Sequence, residues 1–196
     1  VIDFTVYDET SAPEESKAAL ALAKKQLGFI PNLYGVLAES PQALAAYQAV
    51  SDQFQRSSLS SAAKHTVWLT ASRQNGCTYC VAAHSAMAAG ESANESVVRA
   101  IREGAPIDDA QLEAVRRFAV QVVDSRGWVA DEDVQAFLDA GFTRRHVFDV
   151  LTGVAQKTLS NYANHLAHTP LDAALASYAW TADQAGPPVQ GAEPTR

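Results

Sequence analysis

The chain has 196 residues, enough for one domain with a real core, and its 47% hydrophobic and 19% charged residues argue against wholesale disorder. Its net charge of −7, with no basic run, argues against nucleic acid or an anionic membrane as the main partner. No stretch approaches the ~20 apolar residues of a membrane span.

Residues 1–12 read as an N-terminal arm that turns at Ser11-Ala12-Pro13, residues 13–182 as a single helical domain, and residues 183–196 as a flexible tail too poor in apolar residues to pack. Val1-Ile2-Asp3-Phe4 lacks the basic and apolar regions of a secretory signal, so a cytoplasmic location is expected.

In chain order, Glu14 to Leu27 gives a modest helical face through Ala18, Leu22, Ala23 and Leu27. Gly28 to Asn32 interrupts it, and a short helix follows around Leu33 to Ala38. Ser40-Pro41 is a strong helix start, opening a helix over about 41–56 with Leu44, Tyr47, Val50 and Phe54 along one stripe. Ser60 caps the next, which runs to about Gln74 with Ala63, Val67, Thr70 and Ala71 on one face. Asn75-Gly76 breaks it before a helix that begins at Cys77 and fades by Ala89-Gly90.

Ser92 to Arg102 is helical by pattern. Asp108-x-x-Gln111 resembles a capping box, followed by Leu112, Val115, Phe118, Ala119 and Val122 at helical spacing. Asp131 to Ala140 forms a short helix. Thr143 caps the longest helix, whose apolar face is predicted to be Val147, Val150, Leu151, Val154, Thr158, Tyr162 and Leu166; Thr169-Pro170 closes it. No segment alternates as a strand does, so the expected class is all-α. The 19-residue spacing of His65–His84 recurs in His146–His165, which raises a duplicated helix hairpin as one reading.

Cys77-Thr78-Tyr79-Cys80-Val81-Ala82-Ala83-His84 holds the chain's two cysteines. On a helix, positions 77, 80 and 84 share an arc of about 60°, so one face carries two thiols and an imidazole. The helix N-terminus and the C-x-x-C spacing both favour a thiolate. Three readings compete. Buried thiols on a core face are the plainest. A zinc site could use Cys77, Cys80, His84 and a fourth ligand, His65, although a domain of this size has no need of a metal staple. Thiol redox chemistry fits best: one thiolate attacks an oxidant, the other closes a disulfide, and His84 takes the thiol proton. This reading calls for no bound cofactor and no metal.

Asn75-Gly76-Cys77-x-Tyr79-Cys80-x-x-x-His84, following Val67-Trp68-Leu69-Thr70-Ala71-Ser72-Arg73, resembles the AhpD-like alkylhydroperoxidase family of the carboxymuconolactone decarboxylase superfamily. Pro31-Asn32-Leu33-Tyr34, Ser40-Pro41, Asn161-Tyr162-x-Asn164-His165 and Thr169-Pro170-Leu171-Asp172 are similar to its peroxidase-related branch. The likeness spans roughly residues 28–175. It implies an all-helical AhpD-like fold, assembled as a homo-oligomer (trimer or hexamer), with Cys80 as the peroxide-attacking thiol, Cys77 as the resolving partner and His84 as proton acceptor. It also implies a hydroperoxide substrate and a dithiol reductant, either a lipoyl-bearing or a thioredoxin-like protein.

Two positions depart from the family pattern. His65 stands where a relay glutamate is usual, twelve residues before the first cysteine, and Tyr79 stands where a histidine is common. His146 and His165 read as structural, and Asn161, Tyr162 and Asn164 as hydrogen-bonding residues of a helix interface. The expected activity is a thiol peroxidase working through Cys80, Cys77, His84 and His65. The alternatives are a decarboxylase-like enzyme acting on a small acidic lactone, and a redox- or zinc-responsive binding module.

Overall fold

The computed structural model describes residues 2–91 and 95–181. Part of the predicted 92–102 helix and the predicted tail lie outside them. The described residues contain nine α-helices and a final 3₁₀ helix, with no β-strand among them. The helices are α1 Glu14–Leu27, α2 Asn32–Leu37, α3 Pro41–Gln55, α4 Ser61–Gln74, α5 Thr78–Gly90, α6 Glu95–Glu103, α7 Ala110–Asp124, α8 Asp131–Asp139 and α9 Arg144–Ala167; the 3₁₀ turn is Ala173–Tyr178.

Local chemistry sets most of these boundaries. Ser40 Oγ accepts from Ala43 N–H and Ser60 Oγ from Ala63 N–H, each satisfying a donor that the first turn leaves open. Thr143 and His146 cap α9 reciprocally, which gives His146 the structural role expected of it. The cap of α7 is Asp109, not Asp108: its carboxylate accepts from Leu112 N–H at 2.9 Å. The N-terminal arm turns earlier than expected, where Asp8 accepts from Thr10 and Ser11.

α4 is the central helix. Ten of its fourteen residues are buried, because α5, α6, α7 and α9 pack around it. One apolar cluster joins Phe54, Val67, Trp68, Phe118, Phe137 and Val150; another joins α1, α2 and α3 to Cys77, Tyr79 and Cys80 of α5.

Two predicted faces differ from the structure. On α1, Leu22 and Leu27 are exposed and the buried residues are Ser16, Leu20 and Ala23. On α9, Val150 and Val154 are buried as expected, but Leu151, Tyr162 and Leu166 point outward. The inward stripe is mostly polar: Gln156, Lys157, Ser160, Asn161 and Asn164. The duplicated-hairpin reading is also not supported by the histidine spacing. His65 and His84 lie on two helices joined at Asn75–Cys77, whereas His146 and His165 lie on one unbroken helix.

Candidate active site

Asn75 ends α4, and Gly76 turns the chain in the left-handed region (φ +67°), where a glycine carries no Cβ penalty. Cys77 then becomes the N-cap of α5, its Sγ 3.4 Å from the backbone N–H of Cys80. The break at Asn75-Gly76 therefore puts one thiol at the mouth of the helix and the other one turn inside it. Both cysteines are reduced and about 1% exposed.

α9 closes over this pair with its polar stripe. Asn164 Nδ2 donates to Cys80 Sγ at 3.3 Å and lies 3.8 Å from Cys77 Sγ, while Ser160 Oγ is 3.7 Å from Cys80 Sγ. Asn161 accepts from Asn75 Nδ2 at 2.9 Å, tying α9 to the break between α4 and α5. Asn161 and Asn164 are thus interface residues, as expected, and Asn164 is also part of the thiol site. Tyr162 is exposed and does not join them.

His84 stacks on the indole of Trp68, with centroids 4.9 Å apart, and its Nε2 is 2.6 Å from Nζ of Lys157. Trp68 in turn donates to Gln156 Oε1 at 2.6 Å. Burial, followed by the charge of Lys157, holds the His84 pKa well below its ordinary value. The ring is therefore neutral. Lys157 itself is lowered by burial and supported by the cysteines opposite.

The two thiols differ. Burial pushes Cys80 up, but the hydrogen bond from Cys77, the charge of Lys157, and Ser160 and Asn161 outweigh it and bring the thiol down to about 5. Cys77 moves the opposite way, because its proton is held by the Cys80 sulfur and burial adds to the effect. The surroundings built by α9 thus favour the thiolate at Cys80, the thiol that the family resemblance implies as the attacking one.

His65 is buried on α4, edge-on to Trp68, with its Nε2 3.0 Å from Glu91 Oε2. Glu91 caps α5, also accepts from Ser61, and is about half exposed. Hydrogen bonds from His65 and then Ser61 hold its carboxyl below the usual range. A carboxylate from the end of α5 thus partners the histidine at position 65. No group of three or more His, Cys, Asp or Glu side chains among the described residues is placed to hold a metal ion.

Tyr79, where a histidine is common, is buried in the core and also anchors two distant segments. Its hydroxyl donates to Asp172 Oδ2 and accepts from Leu33 N–H at 3.2 Å, while Asp172 Oδ1 accepts from Asn32 N–H at 3.0 Å. Asn32 Nδ2 donates to Pro170 O at 3.0 Å. The Pro31-Asn32-Leu33-Tyr34 and Thr169-Pro170-Leu171-Asp172 segments, distant in sequence, meet around this one phenol.

Beside the thiols lies a cavity of about 610 Å³, walled by Tyr34, Tyr47, Trp68, Tyr79, His84 and Met87. The sulfurs do not line it; Tyr79, Ala83 and His84 form the wall nearest them. Asp52, toward the rim, is its one carboxylate, and no Lys or Arg lines it.

Residues 38–124 match the carboxymuconolactone decarboxylase family. No curated protein matches the sequence. Several solved structures share the fold. The AhpD core of a peroxidase-related protein from Ralstonia eutropha JMP134 aligns with a TM-score of 0.78 and 22% identity, covering 88% of this chain and 93% of that one. A peroxidase-related protein from Silicibacter sp. TM1040 gives 0.75 and 20%, covering 89% and 92%. The debrominase Bmp8, as a cysteine-to-alanine variant in complex with 2,3,4-tribromopyrrole, gives 0.77 and 18%, covering 91% and 96%. Residues 38–124 thus carry the carboxymuconolactone decarboxylase family match, and the chain shares the fold of these AhpD-like, peroxidase-related structures.

Proposed function

We propose that the protein reduces hydroperoxides through a dithiol–disulfide cycle of Cys80 and Cys77. The observation that carries this reading is the placement of the pair, with Cys77 as the N-cap of α5, Cys80 one turn inside it, and Asn164 and Ser160 of α9 against the Cys80 sulfur, surroundings that hold the Cys80 thiol below its ordinary value. Cys80 Sγ attacks the terminal oxygen of the hydroperoxide, the O–O bond breaks, and the alkoxide leaves as alcohol once protonated. Cys77 then attacks the resulting sulfenic acid, forming the S–S bond and releasing water. A dithiol donor, lipoyl-bearing or thioredoxin-like, restores both thiols by exchange. We place the cycle in the cytoplasm, where such donors keep thiols reduced.

His84, which lines the cavity one turn beyond Cys80 on α5, serves in proton transfer. His65, joined to Glu91, links the other side of Trp68 to the surface. The apolar, aromatic lining, without a cation, fits a neutral organic hydroperoxide better than a small acidic lactone. The exposed Leu151, Tyr162 and Leu166 of α9 supply an apolar face for a second copy of the chain, consistent with a homo-oligomer.

The test is intact mass of the reduced protein before and after one equivalent of an organic hydroperoxide. The expected result is a loss of about two daltons, the two thiol hydrogens, in the wild type, a sulfenic acid in Cys77→Ser, and no reaction in Cys80→Ser. Full turnover by Cys80→Ser would overturn the assigned roles.

A second reading has a specific support. Bmp8, a debrominase, shares the fold, and the aromatic cavity suits a planar halogenated ring. Reductive dehalogenation would use the same dithiol: the aryl halide and two thiols give the arene, a disulfide and hydrogen halide. Bromide release from a bromopyrrole without hydroperoxide turnover would favour it. A binding module, by contrast, would oxidise without turning over either substrate.

A further inference from the structure

Lys157 is 1% exposed, and no carboxylate of the described residues forms an ion pair with it. A buried ammonium costs several kcal/mol unless an anion offsets it. The titratable groups facing it are few. His84 and the two thiols come from α5, Tyr47 from α3 with its ring centroid 5.7 Å from Nζ, and Tyr34 from α2; His65 of α4 acts on His84. Burial pushes the Tyr34 phenol up to about 12 and raises Tyr47 as well, so neither supplies negative charge at neutral pH. The thiol pair is the remaining source.

The contact with His84 also fixes a tautomer. With Lys157 as an ammonium, which has no lone pair to offer, Nε2 accepts from it and the ring hydrogen is on Nδ1. That Nδ1 is buried with no hydrogen-bond partner, in a ring that lines the cavity. A substrate oxygen is the acceptor it lacks.

We propose that Lys157 is the cation that holds Cys80 as a thiolate and the store of the proton given to the departing oxygen, with His84 as the conduit. Lys157 does not touch the substrate; it acts through Cys80 and His84. His84 donates its Nδ1 proton to the alkoxide and takes one from Lys157 at Nε2. The sum balances: Cys80 thiolate, Lys157 ammonium, Cys77 thiol and ROOH give the disulfide, neutral Lys157, ROH and water. The sulfurs are oxidised, the peroxide is reduced, and the site is electrically neutral before and after. Reduction by a dithiol returns two hydrogens, one to Cys77 and one to Lys157. The proton-transfer half rests on the hydroperoxide reading; the charge half does not.

The experiment is a pH titration of thiolate ultraviolet absorbance in the reduced wild type, Lys157→Met, Lys157→Arg and His84→Asn, each against its Cys80→Ser blank. Lys157→Met is expected to raise the midpoint by at least about one pH unit, while Lys157→Arg, which keeps the charge, stays near the wild type. Lys157→Gln carries the same expectation as Met and keeps a polar side chain if Met does not fold. An unchanged midpoint in the neutral variants overturns the charge assignment, whether or not hydroperoxide is consumed. A shifted midpoint in a protein whose wild type consumes no hydroperoxide upholds Lys157 and sinks the peroxidase reading instead. For the conduit, His84→Asn should slow oxidation by tert-butyl hydroperoxide at least about tenfold more than by a peracid, whose leaving group needs less protonation. Equal slowing of both overturns that half.

Discussion

Nζ of Lys157 lies 2.6 Å from Nε2 of His84, and both side chains are buried, which disfavours charging the two at once. At 4 Å two like charges already repel by about 4 kcal/mol in the dielectric effective near a protein surface, and they are closer here. The pair therefore carries at most one positive charge, beside two thiols of unequal acidity, with the imidazole lining the cavity.

The pH dependence of Cys80 oxidation follows from its position. A lowered thiol pKa leaves the thiolate populated above that value and removes it below. The rate of reaction with an organic hydroperoxide is expected to be flat from pH 8 to 6 and to fall about tenfold per pH unit below about 5. A stopped-flow profile that instead climbs up to pH 9 would contradict the thiolate assignment.

Asn164→Leu removes the N–H that Cys80 Sγ receives while keeping the side-chain volume. A hydrogen bond to a charged group is worth about 1.5–3 kcal/mol, or roughly one to two pH units in the thiolate midpoint. Reactivity at pH 8 should survive and reactivity at pH 6 should drop, a contrast that the same stopped-flow measurement reads directly.

Tyr79→Phe leaves Asp172 Oδ2 without its donor, although Oδ1 keeps Asn32 N–H, and leaves Leu33 N–H without an acceptor, both in buried surroundings. Each orphaned group costs about 1–3 kcal/mol. Urea unfolding should show a loss of that order or more, with helix content retained at low denaturant.

Gly153 sits where α9 crosses α3 and α4. A Cβ there would come within 2.6 Å of Phe54 Cζ and 2.7 Å of Val67 Cγ1, both side chains fully buried. Alanine gains about 1 kcal/mol in helix propensity, and forcing a methyl into a packed core costs about 1–3 kcal/mol. Gly153→Ala is expected to lower the urea midpoint despite the better helix former.

Leu166→Glu places a charge on the exposed apolar face of α9. Light scattering after size exclusion should show a smaller species than the wild type. An unchanged mass would show that this face is not where copies meet.

The helices were legible from local signals alone. Ser40, Ser60 and Thr143 cap their helices through their own side chains, Gly76 ends a turn by its own backbone freedom, and the spacing of Leu112, Val115, Phe118, Ala119 and Val122 defines one buried face. The dithiol and its histidine were also legible, because four to eight residues on one helix fix their mutual placement. What the sequence could not determine was which stripe of α9 turns inward. Ranking side chains by hydrophobicity selects Leu151, Tyr162 and Leu166, yet Gln156, Lys157 and Asn164 are the buried ones. They are buried because partners more than seventy residues away satisfy them: Trp68, His84, Cys77 and Cys80. A polar group is cheap to bury only when its partner is already in place, and that pairing exists only once α4, α5 and α9 have packed.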